Sequence, residues 1–277
     1  AVVCVGDLSG LFRTGTVGEG SDADSLDLPG VQQQLLEAVV ATGRPIVVVL
    51  TSGRPYSLGG LEDKVAAFVM AFAGGQEGGN ALVDVLTGNF EPSGRLTVSV
   101  PKNVGAVPYY YNHKMKSAGT PIALHFGSRY PFGHGLSYTQ FDFAELELEE
   151  KEVDARNGEI RLRFTVRNTG SRAGVAVPQL YVRDPLASVV RPVKELKAFG
   201  RVQLPAGQSA RVTFRVPTDM LCFTGMEGRR IVEPGEFELQ VGTSSTDIRL
   251  RASVIVKGTV HTLGRKWRME SRCEVGR

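Results

Sequence analysis

The sequence predicts an α/β layered sandwich with a mostly parallel sheet, followed by an all-β antiparallel sandwich. Three observations carry that expectation. Up to about residue 90, solid apolar runs alternate with helically spaced stretches, the pattern of strand–helix–strand units. Beyond Phe143 the hydrophobic period falls to two, as in strands with one buried face. Between the two lies a glycine- and tyrosine-rich connector with neither period. The boundaries are expected at 1–142 for the layered unit with its connector, 143–257 for the sandwich, and 258–277 for a tail.

Ala1, Val2, Val3, Cys4 and Val5 form an unbroken apolar run, which predicts a strand buried on both faces of a parallel sheet. The chain leaves it through Asp7-Leu8-Ser9-Gly10, at the end of the strand where ligand-binding loops collect in open α/β sheets. Val31, Leu35, Leu36 and Val39 predict a helix over 31–42, with Gly43 as its stop. Ile46 to Leu50 is a second fully apolar strand, and Thr51-Ser52-Gly53-Arg54-Pro55 is its loop. Val65 to Phe72 reads as a third buried strand, and Asn80 to Leu86 as a helix closed by Gly88.

From Leu96 the pattern becomes irregular, through Tyr109-Tyr110-Tyr111 and Tyr130-Pro131-Phe132-Gly133-His134-Gly135. Then Ile160, Leu162, Phe164 and Val166 alternate with Arg161, Arg163, Thr165 and Arg167. The alternation recurs in Val212, Phe214 and Val216, in Phe237, Leu239 and Val241, and in Ile248, Leu250, Ala252 and Val254. About seven such strands, separated by turns, spell a β-sandwich. The tail, with Arg265, Lys266, Trp267 and Arg268, fits neither domain by pattern.

Composition narrows the function. The 277 residues give room for about two domains, and a formal charge of +3 is too slight to imply a nucleic-acid partner. No apolar run reaches the roughly 18 residues of a membrane span. Cys4, Cys222 and Cys273 are odd in number and widely spaced, forming neither a disulfide framework nor a zinc pattern. The chain opens in a buried-type strand with no initiator Met or leader, so it is expected to be part of a longer protein, of open compartment.

Within Gly15-Thr16-Val17-Gly18-Glu19-Gly20-Ser21-Asp22, Glu19 stands between two glycines, free to reach outward because neither neighbour carries a side chain. It reads as a catalytic acid, against the alternative of a solvated loop carboxylate. Other signals fail. Gly10 and Gly15-Thr16 have P-loop spacing, but the phosphate-binding lysine is absent. Asp22, Asp24 and Asp27 suggest a calcium loop, yet Leu26 stands where an oxygen ligand belongs; they read as helix caps or solvated carboxylates. The four histidines are scattered, so neither metal nor cofactor is expected. His113 and His134 read as hydrogen-bonding groups of the connector, and Arg54 and Arg95 as loop-pinning ion pairs. No Gly-x-Ser-x-Gly elbow occurs.

Several strings, in order, resemble glycoside hydrolase family 3. They are Leu28-Pro29-Gly30-Val31-Gln32, Ser52-Gly53-Arg54-Pro55, Ala71-Phe72-Ala73-Gly74-Gly75-Gln76-Glu77-Gly78-Gly79-Asn80-Ala81 and Pro92-Ser93-Gly94-Arg95-Leu96. Tyr111-Asn112-His113-Lys114 and Tyr130 to Tyr138 complete the set, so the likeness covers roughly residues 1 to 257. The resemblance implies a β-glucosidase or β-xylosidase. Such an enzyme has an N-terminal barrel bearing a nucleophilic aspartate, an α/β/α sandwich bearing the acid/base glutamate, and a fibronectin type III-like (immunoglobulin-like) domain. This chain would hold the later sandwich and the fibronectin-like domain, and would be inactive alone.

Glu19 matches the family's acid/base, with Asp7 at the strand end as its rival. Many relatives carry an arginine where this chain has Ala23. Phe12 and Arg13 on the same loop are expected to line the leaving-group side. The implied partners are a β-linked oligosaccharide or aryl glycoside and the barrel, with a homo-oligomer compatible. The alternative function is a non-catalytic carbohydrate-binding or supporting module.

Overall fold

The computed structural model describes residues 1–12, 14–115 and 127–276, which fall into two compact units. One gathers the described residues of 1–90, 98–109 and 124–130; the other gathers those of 91–97, 110–123 and 131–277. Among the described residues the chain is mostly sheet, with two α-helices.

In the first unit, β1 (Val2–Gly6), α1 (Gln32–Val40), β2 (Val47–Thr51), β3 (Ala67–Met70) and α2 (Gly78–Thr87) follow one another. The strands pair in parallel in the order β1-β2-β3, with Val3 beside Val48 and Val48 beside Phe68. Central β2 is the fully apolar strand its sequence predicts, with Val48, Val49 and Leu50 at most 1% exposed.

The flanking strands differ from expectation. In β1, Val3 and Val5 are buried, but Val2 is 56% exposed and Cys4 is exposed too. An apolar run is buried on both faces only where both are covered; among the described residues β1 pairs with β2 alone and nothing covers Val2 and Cys4. β3 is shorter than 65–72 and half-buried for the same reason. Leu36 of α1 closes the core with Leu28, Ile46, Tyr56 and Leu58. Asp22, Asp24 and Asp27 are exposed and no side chain caps α1, so these carboxylates face water. Helix α2 starts two residues before the expected Asn80 and stops at Gly88, whose φ of 77° is the left-handed stop that favours glycine. β4 (Val100–Pro101) and β5 (Ser128–Tyr130) pair antiparallel in this unit.

The second unit is built from β6 (Phe141–Leu148), β7 (Glu152–Asp154), β8 (Glu159–Asn168), β9 (Gly174–Ala176), β10 (Gln179–Arg183), β11 (Glu195–Phe199) and β12 (Val202–Leu204). It continues with β13 (Ser209–Pro217), β14 (Phe223–Thr224), β15 (Arg230–Val232), β16 (Gly235–Gly242), β17 (Ile248–Lys257), β18 (His261–Thr262) and β19 (Arg272–Gly276). Its main sheets run β11-β10-β16-β17-β7 and β19-β13-β8-β6. The period-two reading holds in detail. Ile160, Leu162, Phe164 and Val166 are fully buried, opposite Val216, Phe214, Val212 and Ala210. The Phe164 and Phe214 rings lie 5.4 Å apart. Each such side chain contributes roughly 1.5–3 kcal/mol on burial, so this core holds the sandwich together.

The tail is not separate from the sandwich. β18 pairs with β15, and β19 adds an edge strand to β13, with Cys273 opposite Phe214. Burial, and then Glu274, push the Cys273 thiol up to about 11. Buried Asp219 accepts the Arg268 backbone N–H at 2.7 Å. Five residues of alternation were too few to read as a strand.

Much of the connector belongs to this second unit, while Tyr109 and Tyr130 belong to the first. Leu96 and the 133–134 turn exchange backbone hydrogen bonds of 2.7 and 2.8 Å. Tyr111 stacks on Phe132 at 4.2 Å, and its hydroxyl accepts the Leu196 N–H. Buried Gln179 donates to the Gly133 carbonyl and accepts from the Tyr181 hydroxyl.

Candidate active-site loop

The site is built outward from the end of β1. Gly6 has a φ of 149°, and a Cβ there would overlap the Thr51 carbonyl, so β1 and β2 stay close to their last residues. Gln32, the first residue of α1, clasps the Gly6 backbone from both sides: its amide donates to the carbonyl at 2.8 Å and accepts the N–H at 2.6 Å.

Asp7 comes next and gathers two loops. Its Oδ1 accepts from the Tyr56 hydroxyl at 2.5 Å and from Thr16 Oγ1 at 2.8 Å; its Oδ2 accepts the Gly53 N–H at 3.0 Å. Both oxygens are therefore engaged in holding backbone and side chains together. Tyr56 is 2% exposed. Burial first, and then its bond to Asp7, push its hydroxyl up to about 12.

The loop from Leu8 to Ser21 folds back on itself. Thr16 N–H donates to the Leu8 carbonyl, Gly10 N–H to Val17, and Phe12 N–H to Glu19, at 2.7, 2.9 and 2.8 Å. Arg54 Nη2 donates to the carbonyls of Thr16 and Ser21 at 3.1 and 2.7 Å. Arg54 thus pins the loop as expected, but through backbone carbonyls rather than an ion pair.

The glycines have a different purpose from the one expected. A Cβ on Gly15 would overlap the Leu8 carbonyl, and one on Gly18, at φ 128°, would overlap the Gly10 carbonyl. Close passage of two backbone segments, not freedom for Glu19, demands glycine at these places. Glu19 itself is exposed between Gly18 and Gly20. Phe12, hydrogen-bonded across from it, is 73% exposed and has a φ of 49°. Arg13 lies outside the described residues.

The other candidates lie in the second unit. His113 Nδ1 is 2.9 Å from the Lys114 carbonyl. His134 is half-buried; burial first, and then Arg95, hold its imidazole below the usual range, against the pull of Asp247. Arg95 donates to the Gly94 carbonyl and to Ser137 Oγ, again not an ion pair. Among the described residues, no three His, Cys, Asp or Glu are placed to hold a metal, and no helix is long and apolar enough to cross a membrane.

Sequence reasoning missed Gln32, Tyr56 and Thr16 as the clamp. Gln32 and Tyr56 each sat within or beside a string already singled out, and an Asp closing an apolar strand was a signal that polar partners must meet it.

Comparison with known proteins decides the family. Residues 1–138 match the glycosyl hydrolase family 3 C-terminal domain, and residues 176–245 match the fibronectin type III-like domain. The chain belongs to glycosyl hydrolase family 3. The chain is similar to a β-xylosidase of Formosa agariphila, 39% identical over 234 residues, covering 83% of this chain and 32% of that protein. A periplasmic β-glucosidase of Salmonella typhimurium is 35% identical over 261 residues, covering 90% of this chain and 33% of that protein. The crystal structure of a Listeria innocua β-glucosidase in complex with glucose superposes with a TM-score of 0.82 at 33% identity, over 93% of this chain and 36% of that one. The chain therefore spans about a third of the length of the curated relatives it matches.

Proposed function

We propose that this chain is the acid/base-bearing part of a retaining β-glycosidase that removes terminal non-reducing glucose or xylose. The described residues of 1–90, 98–109 and 124–130 form the α/β layered unit, and the fibronectin-like domain lies within the second unit. A nucleophilic carboxylate on a barrel outside these residues attacks the anomeric carbon. Glu19 protonates the departing oxygen, then deprotonates the water that releases the glycosyl-enzyme. That chemistry calls for the two carboxyl groups roughly 5–5.5 Å apart.

One observation carries the choice of Glu19. The loop is fixed by the Asp7 clamp and by Arg54, and it presents Glu19 outward while both oxygens of Asp7 are taken up within the fold. A group that delivers a proton must reach the substrate; Asp7 instead positions the loop. Relatives named β-xylosidase and β-glucosidase support the substrate class.

The experiment is Glu19→Ala with the barrel present. Loss of general acid catalysis costs about 10²–10⁴-fold on disaccharides. Aryl glycosides with good leaving groups, which need no proton, should lose much less, and azide should restore part of the rate. Equal losses on both substrates would defeat the assignment.

A further inference from the structure

Glu19 sits in a stretch that glycine makes loose. Three of the six residues from Gly15 to Gly20 are glycine, the residue that gives up the most backbone freedom on being ordered. The place of the Glu19 carboxyl therefore depends on contacts from outside the stretch, and Arg54 supplies them. One nitrogen, Nη2, donates to the Thr16 carbonyl at 3.1 Å and to the Ser21 carbonyl at 2.7 Å. Those carbonyls flank Glu19 in the chain, one before it and one after, and the guanidinium nitrogen carries an N–H for each. Arg54 draws the two arms of the Glu19 bend together.

Arg54 is itself held on both sides. Ser52, 3% exposed, donates from Oγ to the Arg54 carbonyl at 2.7 Å. Pro55 turns the Arg54 backbone away from the helical region, and Tyr56 beyond it is buried and bonded to Asp7. Gly53, just ahead, passes so near Val17 that a Cβ there would lie 2.7 Å from Cγ2. A side chain anchored by such supports fixes what it bonds.

We propose that Arg54 is a positioning residue for proton delivery: it sets where the Glu19 carboxyl stands relative to the departing oxygen, and takes no part in binding the sugar. The inference rests on the Glu19 reading and goes beyond it, because it gives the loop after β2 a share in protonating the leaving group. A displacement of about 1 Å in a reacting group can cost about 10²-fold. That loss falls on leaving groups that need a proton as they depart; a phenolate already stable as an anion escapes it.

The test is kcat/KM for a series of aryl β-glycosides, from dinitrophenyl to phenyl, with the matching disaccharide, assayed with the barrel present. Arg54→Ala should leave the dinitrophenyl glycoside within about threefold of wild type and lower the phenyl glycoside and the disaccharide about 10–100-fold. The dependence of rate on leaving-group acidity then steepens. Arg54→Lys, which keeps the charge but not the planar fork, should steepen it in part, and serves alone if the alanine variant does not fold. A merely structural arginine would lower every substrate by one factor together with Tm, and that uniform loss overturns the proposal. So does a wild-type dependence in both variants. Glu19→Ala on the same series tells the two readings apart. No steepening there defeats the Glu19 assignment and this proposal together; steepening there with none in the Arg54 variants defeats this proposal alone.

Discussion

Tyr56 donates a 2.5 Å hydrogen bond to Asp7 across 49 positions of sequence, joining the loop after the second strand to the loop that bears Glu19. Tyr56→Phe keeps the ring and removes the donor. It should destabilise the first unit by about 1–3 kcal/mol, the cost of leaving half-buried Asp7 short of a hydrogen bond, as read by urea unfolding. The variant should also change the alkaline limb. With its hydroxyl pushed up to about 12, native Tyr56 keeps a proton that the unfolded chain sheds near 10. The unfolded state then binds fewer protons, so stability falls as pH rises between the two values. Tyr56→Phe should lose that part of the slope.

Gly18→Ala and Gly30→Ala separate steric overlap from backbone strain. Both glycines have positive φ, 128° and 62°, but only at Gly18 would the new methyl meet backbone; at Gly30 nothing lies within 4 Å. Gly30→Ala should cost about 1 kcal/mol. Gly18→Ala should distort the loop, costing at least 2–3 kcal/mol by overpacking, and should abolish disaccharide hydrolysis with the barrel present. Similar melting shifts for the two would show that overlap is not the cause.

His134 makes the second unit acid-sensitive. Its imidazole is held below the usual range by burial and then by Arg95, with Asp247 opposing. As pH falls below about 6.5, the unmodified imidazole value, the unfolded chain takes up a proton that the native state resists. Stability therefore declines with falling pH through that window. His134→Gln should flatten the decline in urea titrations between pH 7 and 5; an unaltered slope would exclude this residue as its source.

Removing residues 258–277 should destabilise the sandwich even though the described core strands remain. The deletion strips β19 from β13 and uncovers Phe214 next to Cys273. A loss of roughly 2–4 kcal/mol is expected from the apolar area exposed, with aggregation through the bared edge. A truncated chain with an unchanged Tm would show that β19 contributes no stability.

The sandwich was legible because its alternation is long: four alternating buried apolar residues in β8 and four in β13 leave no competing period. The layered unit was legible at β2 and less so at its neighbours, since an apolar run states that a strand can be buried on both faces, not that both are covered. The string around Glu19 marked its loop; the clamp that holds the loop left no such mark. Asp7, Thr16, Gln32, Gly53 and Tyr56 are scattered over some fifty positions, and hydrogen bonds between them leave no periodic trace. The tail failed for want of length: five residues of β19 pair with a partner strand about sixty positions earlier.

The sandwich unit includes the short stretches 91–97 and 110–115, which precede its first long strand in the chain. Transplanting residues 143–257 into another protein would leave Gln179 without the Gly133 carbonyl and Arg201 without the Ser93 hydroxyl. The domain is therefore not a cassette that one pair of cuts can lift out. Any functional graft has to carry these upstream ribbons with it.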